Sequence, residues 1–374
     1  MILQGDALTW LKQINDNTVD CCVTSPPYWG LRDYKTEGFV WGGKEGCTHE
    51  WQETVQKWHN DTSKRIDSVS KYVYDETFRW IGTQSAYCSK CNAWRGSLGL
   101  EPTFQEYLDH LIQIFAEVKR VVKPTGAVWV NIGDTYAGNK GEMRNPGFGG
   151  NAQKGYQYAK EAIGRKRYDV YGAPVKSLLG IPERFKIRMI DELGLICRNT
   201  IIWYKPNCMP SSAKDRFTVD FEYLYFFTKS PRYYFETQYE SYQTADITSA
   251  SYRKNGKSDS RVKDKLGGGG CPAFGNRGFW KPEGLGRLKR CVWRVSTKPF
   301  SGAHFAVFPP DLITTPIKAT CPKGGIVLDP FAGASTTGLV ALQQRKHFIG
   351  IEISEPYIAI AKARLMPLLR QQTL

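Results

Sequence analysis

The sequence predicts an α/β protein: a doubly wound, mostly parallel sheet with inserted loop-rich regions. Three observations predict it. Residues 102–134 read as a long amphipathic helix, a turn and a buried strand, "AVWVNIGD". Residues 325–351 read as strand, glycine-containing loop, helix and strand. Two long stretches, 35–99 and 237–300, lose apolar periodicity altogether. Helices that alternate with buried strands build parallel sheets covered on both faces. Stretches without a period belong outside such a sheet.

Each element follows from its own pattern. Met1–Leu3 is a short strand, and Ala7–Ile14 a helix with Ala7, Leu8, Leu11 and Ile14 as its apolar face. Val19–Thr24 is a buried strand that stops at Ser25-Pro26-Pro27, because proline cannot donate to a sheet ladder. Residues 35–99 are polar and aromatic, with few aliphatics, and form an insertion. Beyond Pro102, residues Tyr107, Leu108, Leu111, Ile112, Phe115, Val118 and Val122 recur at three- and four-residue spacings. Pro124-Thr125-Gly126 ends that helix, and Ala127–Asp134 is the next strand. Residues 137–176 are a glycine-rich basic loop. Ile181–Leu193 is a helix and Asn199–Tyr204 a strand. Glu222–Thr228 and Tyr233–Glu236 are two strands around the turn Lys229-Ser230-Pro231-Arg232. The compact end of the chain comprises strand Gly325–Leu328, helix Thr336–Gln344, strand His347–Ile351 and helix Pro356–Leu369, with Ser354 as its cap.

Composition narrows the partners. The chain has 374 residues, 41% of them hydrophobic, yet no run of eighteen apolar residues suited to a membrane. Its first sixteen residues carry charges throughout and lack a signal-peptide pattern, so a cytoplasmic protein is expected. The 51 Lys and Arg against 36 Asp and Glu leave a formal charge of +15. The excess is clustered: residues 253–290 hold 11 basic and 3 acidic side chains, and residues 137–176 hold 8 and 3. Clustered cations suit phosphates, so a nucleic acid is the expected partner. Ten cysteines without a framework spacing argue for reduced thiols rather than disulfides.

The run "VLDPFAGASTTG", Val327 to Gly338, leaves a strand and opens a helix. Gly333 permits a tight turn, and the next strand ends on Glu352. An acidic side chain at that strand tip can accept hydrogen bonds from both ribose hydroxyls. The run is not G-x-G-x-x-G. It is not a P-loop either, because Leu339 follows Gly338. A nucleoside without phosphates fits best, and S-adenosylmethionine is such a molecule.

Two motifs taken together carry a resemblance. "TSPPY", Thr24–Tyr28, and "DPFAG", Asp329–Gly333, together resemble the amino-group-specific DNA methyltransferases. The first is similar to their catalytic motif and the second to their S-adenosylmethionine motif. Catalytic motif first and cofactor motif last resembles the β-type, circularly permuted order. The resemblance implies the fold of the S-adenosylmethionine-dependent methyltransferases. It also implies roles: Ser25, Pro26, Pro27 and Tyr28 at the target amine; Asp6, Phe308, Asp329, Phe331, Gly333 and Glu352 at the cofactor. Asp6 lies in "LQGDAL" and Phe308 in "HFAVFPPDLI", both similar to family segments. One departure stands out, because Ser335 replaces the family's usual second glycine.

Five segments follow from that resemblance. Residues 1–34 begin the methyltransferase domain, 35–99 are the insertion, and 100–236 complete the catalytic half with the basic loop 137–176. Residues 237–300 are the expected target-recognition region, and 301–374 the cofactor half. In the expected reaction Ser25 Oγ and the Pro26 carbonyl accept from an exocyclic amine, and Tyr28 stacks on a base flipped out of double-stranded DNA. The serine form leans to cytosine N4, with adenine N6 the alternative, and no Pro-Cys dipeptide exists for attack at cytosine C5. A restriction endonuclease counterpart is compatible with such an enzyme. Arg32 and Asp33 either order the catalytic loop or contact DNA.

The insertion holds one more pattern. Cys47-x-His49 and Cys88-x-x-Cys91 supply four ligands for a structural Zn²⁺, with His59 an alternative fourth ligand. A metal there would replace a missing core. The rival from another class is a non-catalytic DNA-binding module built around that zinc.

Overall fold

The computed structural model describes residues 1–30, 38–56, 83–137, 173–174, 176–211, 213–241, 287–298 and 308–372. Most of the basic stretches 137–176 and 237–300 lies outside the described residues, as do Arg32, Asp33 and His59. The chain opens with β1 (Ile2–Gln4), α1 (Ala7–Leu11) and β2 (Val19–Thr24). The insertion contributes β3 (Phe39–Trp41), β4 (Trp51–Gln56), β5 (Thr83–Cys88) and β6 (Trp94–Gly96). Then come α2 (Phe104–Val121), β7 (Val122–Ile132), α3 (Ile181–Asp191), β8 (Ile196–Tyr204) and β9 (Phe221–Thr228). Three short strands follow: β10 (Tyr239–Glu240), β11 (Arg287–Leu288) and β12 (Val292–Arg294). The end comprises α4 (Pro310–Thr320), β13 (Ile326–Asp329), α5 (Thr336–Gln343), β14 (His347–Glu352) and α6 (Glu355–Gln372).

Eight strands form the main sheet in the order β1-β14-β13-β2-β7-β9-β8-β12. All run the same way except β9, which is antiparallel to both β7 and β8. Alternation along each strand sorts side chains onto two faces. Cys22, Val128, Val130, Tyr225 and Phe227 meet the helices α1, α2 and α3. Cys21, Val23, Trp129, Leu224 and Phe226 meet α4, α5 and α6. The sheet is therefore doubly wound, as its buried strands predict. Central β2 is buried at every residue, including Asp20, whose carboxylate accepts from Lys123 Nζ at 2.7 Å and from the Ile326 N–H at 2.9 Å.

Strands β2 and β13 pair in parallel although they lie at opposite ends of the chain. β13 continues through α5 to β14 on one side; β2 continues through α2 to β7 on the other. Connections diverge there, and a crevice opens beyond the carboxyl ends of the two strands. Helix α2 is set by a capping box in which Thr103 and Glu106 satisfy each other's backbone N–H groups, and it buries ten side chains.

Four local readings change. Pro124-Thr125-Gly126 does not form a turn but lies inside β7, which starts at Val122 because its ladder to β2 begins with Val19 and is interrupted by a bulge. Tyr233–Glu236 is not a strand. Its N–H groups go instead to Thr125 and Ala319 carbonyls, while Tyr233 and Phe235 cluster on Phe226. Helix α4 has no counterpart among the expected elements; Pro310 sits in its first turn, where the missing N–H is harmless. The insertion contains a second, antiparallel sheet, β3-β6-β5-β4. Among the described residues no helix is long and apolar enough to cross a membrane.

Candidate active site

The crevice is held at its base by one buried carboxylate. Thr24, the last residue of β2, donates through Oγ1 to Asp329 Oδ1 at 2.6 Å. Thr337 of α5 donates to Asp329 Oδ2, also at 2.6 Å, and the Phe331 N–H donates at 3.0 Å. Burial pushes the Asp329 carboxyl up to about 6 against the pull of these three bonds. Residues 305 apart in the chain are thereby fixed side by side.

The cofactor-side wall is built from the loop after β13 and the tip of β14. Gly333 takes a left-handed φ of +49°, which turns its N–H onto Glu352 Oε2 at 2.8 Å. Glu352 Oε1 accepts the Ser354 N–H at 2.8 Å. Each oxygen keeps a further lone pair for a ligand hydroxyl, and burial holds the carboxyl above its usual range. Ser335 has φ +59°, a conformation suited to the glycine it replaces, and its buried Oγ has no partner among the described residues. Asp6 caps α1 through Oδ1 and faces the same cleft, together with Phe308, Phe331 and Asp329.

The catalytic-motif loop enters from β2. Ser25 and Pro27 line the cleft. Pro26 is buried, and the Pro27 carbonyl accepts the Tyr107 hydroxyl at 2.8 Å. Tyr28 is tied at its tip: its hydroxyl donates to Glu222 Oε2 at 2.9 Å and lies 3.1 Å from Asn131 Oδ1. Glu222 in turn pairs with Lys205. Burial and the Glu222 charge push the Tyr28 phenol well above its ordinary range, so it stays a neutral donor. Its ring lies over Gly133, where an added Cβ would sit 2.7 Å from the ring. Trp29 is buried against Phe104 and donates to the Glu101 carbonyl at 2.9 Å; the Gly30 N–H donates to Gly99 O at 2.8 Å.

Those partners reveal what the sequence did not. The far wall of the cleft is the insertion sheet: Phe39, Trp41, Gly96, Ser97 and Leu98 all line it, with Tyr357 of α6 closing one end. The Asn131–Glu222–Lys205 network around Tyr28 likewise carries no motif in the sequence. Away from the cleft, Cys47, His49, Cys88 and Cys91 come together, with all four ligand atoms within 4.8 Å of one another. One cleft thus offers a hydroxyl acceptor at one wall, carboxylates at another and aromatic surface between them.

Comparisons with known proteins fit this geometry. The Type II methyltransferase M.XycI of Xanthomonas campestris pv. cyanopsidis is 32% identical over 369 residues, covering 97% of this chain and 87% of that protein. The Type II methyltransferase M.Cfr9I of Citrobacter freundii is 32% identical with the same coverage. The solved PvuII DNA methyltransferase (cytosine-N4-specific) shares the fold at a TM-score of 0.51 and 16% identity, over 97% of this chain and 85% of that one. A family profile described as N6_N4_Mtase, DNA methylase, matches residues 19–363. With that match spanning nearly all of the sheet and both cleft motifs, the chain belongs to the N6/N4 DNA methylase family.

Proposed function

We propose that the protein methylates the exocyclic N4 of cytosine in double-stranded DNA with S-adenosylmethionine as methyl donor. The observation that carries this is the shared cleft: Ser25 and Pro27 line it together with Asp6, Phe308, Asp329, Phe331, Gly333 and Glu352. The cleft fits the cofactor, for it joins a half-buried carboxylate at a strand tip to a glycine turn and an apolar wall. Glu352 would hold the ribose hydroxyls, with Asp6 toward the adenine and Phe308 and Phe331 along the methionine. S-adenosylmethionine supplies an electrophilic methyl group.

An exocyclic amine is a weak nucleophile because its lone pair is delocalised into the ring. Tyr107 already occupies the Pro27 carbonyl. Ser25 Oγ and the Pro26 carbonyl therefore form the acceptor pair for the two amine protons, and they localise the lone pair for in-line attack. The prolines keep that pair rigid, and positioning supplies much of the rate. Tyr28 presents its ring to the extruded base while the Glu222–Asn131 network fixes its tip. At the same edge of the sheet the β8–β9 loop carries exposed Met209 and Phe217, side chains suited to entering an opened base stack. The two relatives named as Type II methyltransferases support a restriction endonuclease as the functional counterpart.

The test incubates duplex DNA of varied sequence with the protein and methyl-labelled S-adenosylmethionine, then digests the DNA to nucleosides. N4-methylcytosine is expected, and Ser25→Ala lowers its formation by about 10²-fold. N6-methyladenine would reassign the target base. Label in RNA alone, or in no base, would overturn the proposal.

A further inference from the structure

We propose that Cys47, His49, Cys88 and Cys91 bind one structural Zn²⁺, and that this ion braces the insertion sheet as a wall of the cofactor cleft. Two turns present the ligands. Cys47 follows a tight turn closed by its own N–H on Lys44 O at 3.2 Å, with His49 two residues on, just before β4. Cys88 ends β5, and Cys91 lies in the turn that Asn92 closes by donating to Cys88 O at 2.9 Å. Cys47 Sγ and Cys88 Sγ are 4.0 Å apart, and Cys91 Sγ lies 3.4 Å from His49 Nδ1. A tetrahedral zinc with bonds of about 2.3 Å to sulfur and 2.0 Å to nitrogen requires edges of about 3.8 and 3.5 Å. The sulfurs are far beyond disulfide distance, and Cys47, Cys88 and Cys91 are all free thiols. Three thiolates and an imidazole form a closed, soft donor set, which suits zinc in a structural role.

The sheet needs such a brace. Among its described side chains the buried apolar ones are Trp41, Ala86, Cys88, Ala93 and Trp94, with no aliphatic larger than alanine. Gly43 lies so near the cluster that an added Cβ would sit 2.9 Å from Cys91 Sγ. From the cluster a continuous set of contacts reaches the active site. Trp41 and Trp94 both stack on His110 of α2, with ring centroids 4.2 and 5.3 Å away. His110 bonds Glu101 at 2.9 Å, and Glu101 also accepts the Gly99 N–H at 2.8 Å. Gly99 and Glu101 carbonyls then hold Gly30 and Trp29 of the catalytic-motif loop.

The cleft part of this proposal rests on the S-adenosylmethionine reading, and the experiment separates the two. Elemental analysis of the full-length protein should give one zinc per chain, and Cys88→Ser or Cys91→Ser should give less than a fifth of that. Chelator treatment should raise amide exchange at Gly30 and Gly99 at least tenfold, and weaken S-adenosylmethionine binding at least tenfold; added Zn²⁺ should restore both. Iron in place of zinc, or less than a fifth of a zinc in the wild type, would overturn the metal assignment. Unchanged exchange after zinc removal would overturn the bracing role. Stoichiometric zinc with metal-dependent exchange but no S-adenosylmethionine binding would support the brace and overturn the cofactor reading alone.

Discussion

Replacing Thr24 by valine tests whether the Asp329 carboxylate ties the two loops of the cleft together. Thr24 and Asp329 are both buried, and the bond between them is 2.6 Å long. Valine keeps the branched shape, so a donor is lost without a cavity. A hydrogen bond to a charged group contributes about 1.5–3 kcal/mol. The methyl that replaces the hydroxyl returns about 0.8 kcal/mol. The expected net loss is thus about 1–2 kcal/mol where Asp329 is ionised.

The pH dependence identifies the cause. Burial raises the Asp329 carboxyl to about 6, above the roughly 3.9 of an unfolded aspartate. The folded state therefore holds this proton more tightly. The associated stability is fully present below about pH 4 and is lost as pH rises through about 6. Thr24 donates to the ionised form, so its removal raises the folded value by roughly one further unit. Urea unfolding of wild type and Thr24→Val at pH 8 and pH 5 reads the difference directly. The gap should be about 1–2 kcal/mol at pH 8 and clearly smaller at pH 5, where a protonated carboxyl carries its own donor. Equal gaps at both pH values, or no gap at pH 8, would refute the electrostatic argument.

Gly133→Ala places a Cβ 2.7 Å from the Tyr28 ring, so turnover should fall at least about tenfold through misplacement, with S-adenosylmethionine affinity unchanged by equilibrium dialysis. Ser335→Gly removes a left-handed φ of +59° and a buried hydroxyl without a partner among the described residues. After the entropy of the new glycine is subtracted, the gain is about 1 kcal/mol, read as a higher urea midpoint; a lower midpoint would contradict it. Glu352→Gln keeps an oxygen for the Gly333 N–H but gives up the charge and one acceptor; S-adenosylmethionine affinity should drop about tenfold, the loss of one such bond.

Much of this was legible in the sequence because the central strands carry compact apolar stretches, Cys21–Val23, Ala127–Val130, Ile326–Leu328 and Phe348–Ile351, that are buried or nearly so. The two cleft motifs were legible because proline and glycine constrain the backbone wherever they stand. What failed did so for local reasons. Helix α4 carries three prolines, of which Pro309 and Pro310 mark a helix start rather than a break. Strand β12 has only Val292, Trp293 and Arg294, too few for a period. Tyr233–Glu236 alternates like a strand, yet its aromatics are recruited by Phe226 and its backbone by carbonyls of β7 and of α4. The cleft wall made by Phe39, Trp41 and Leu98 had no signal, because lining a pocket is a tertiary property that spacing does not encode.

The permuted order has a structural consequence. Ser25 and Pro26 follow β2, but β2 obtains one of its neighbours from β13, and its Thr24 finds its partner in Asp329. At the same time β1 pairs with β14, and the Gly5 N–H donates to Glu352 O at 2.9 Å. Two sides of the cleft are therefore closed by contacts between residues near the two ends of the chain. Such contacts carry the largest loop-closure entropy, so they form late unless the intervening segments are already compact. The Ser25–Tyr28 loop is tied to the C-terminal part of the chain through Asp329: one carboxylate bonded to the strand that leads into that loop, to the helix behind the glycine turn, and to the turn itself.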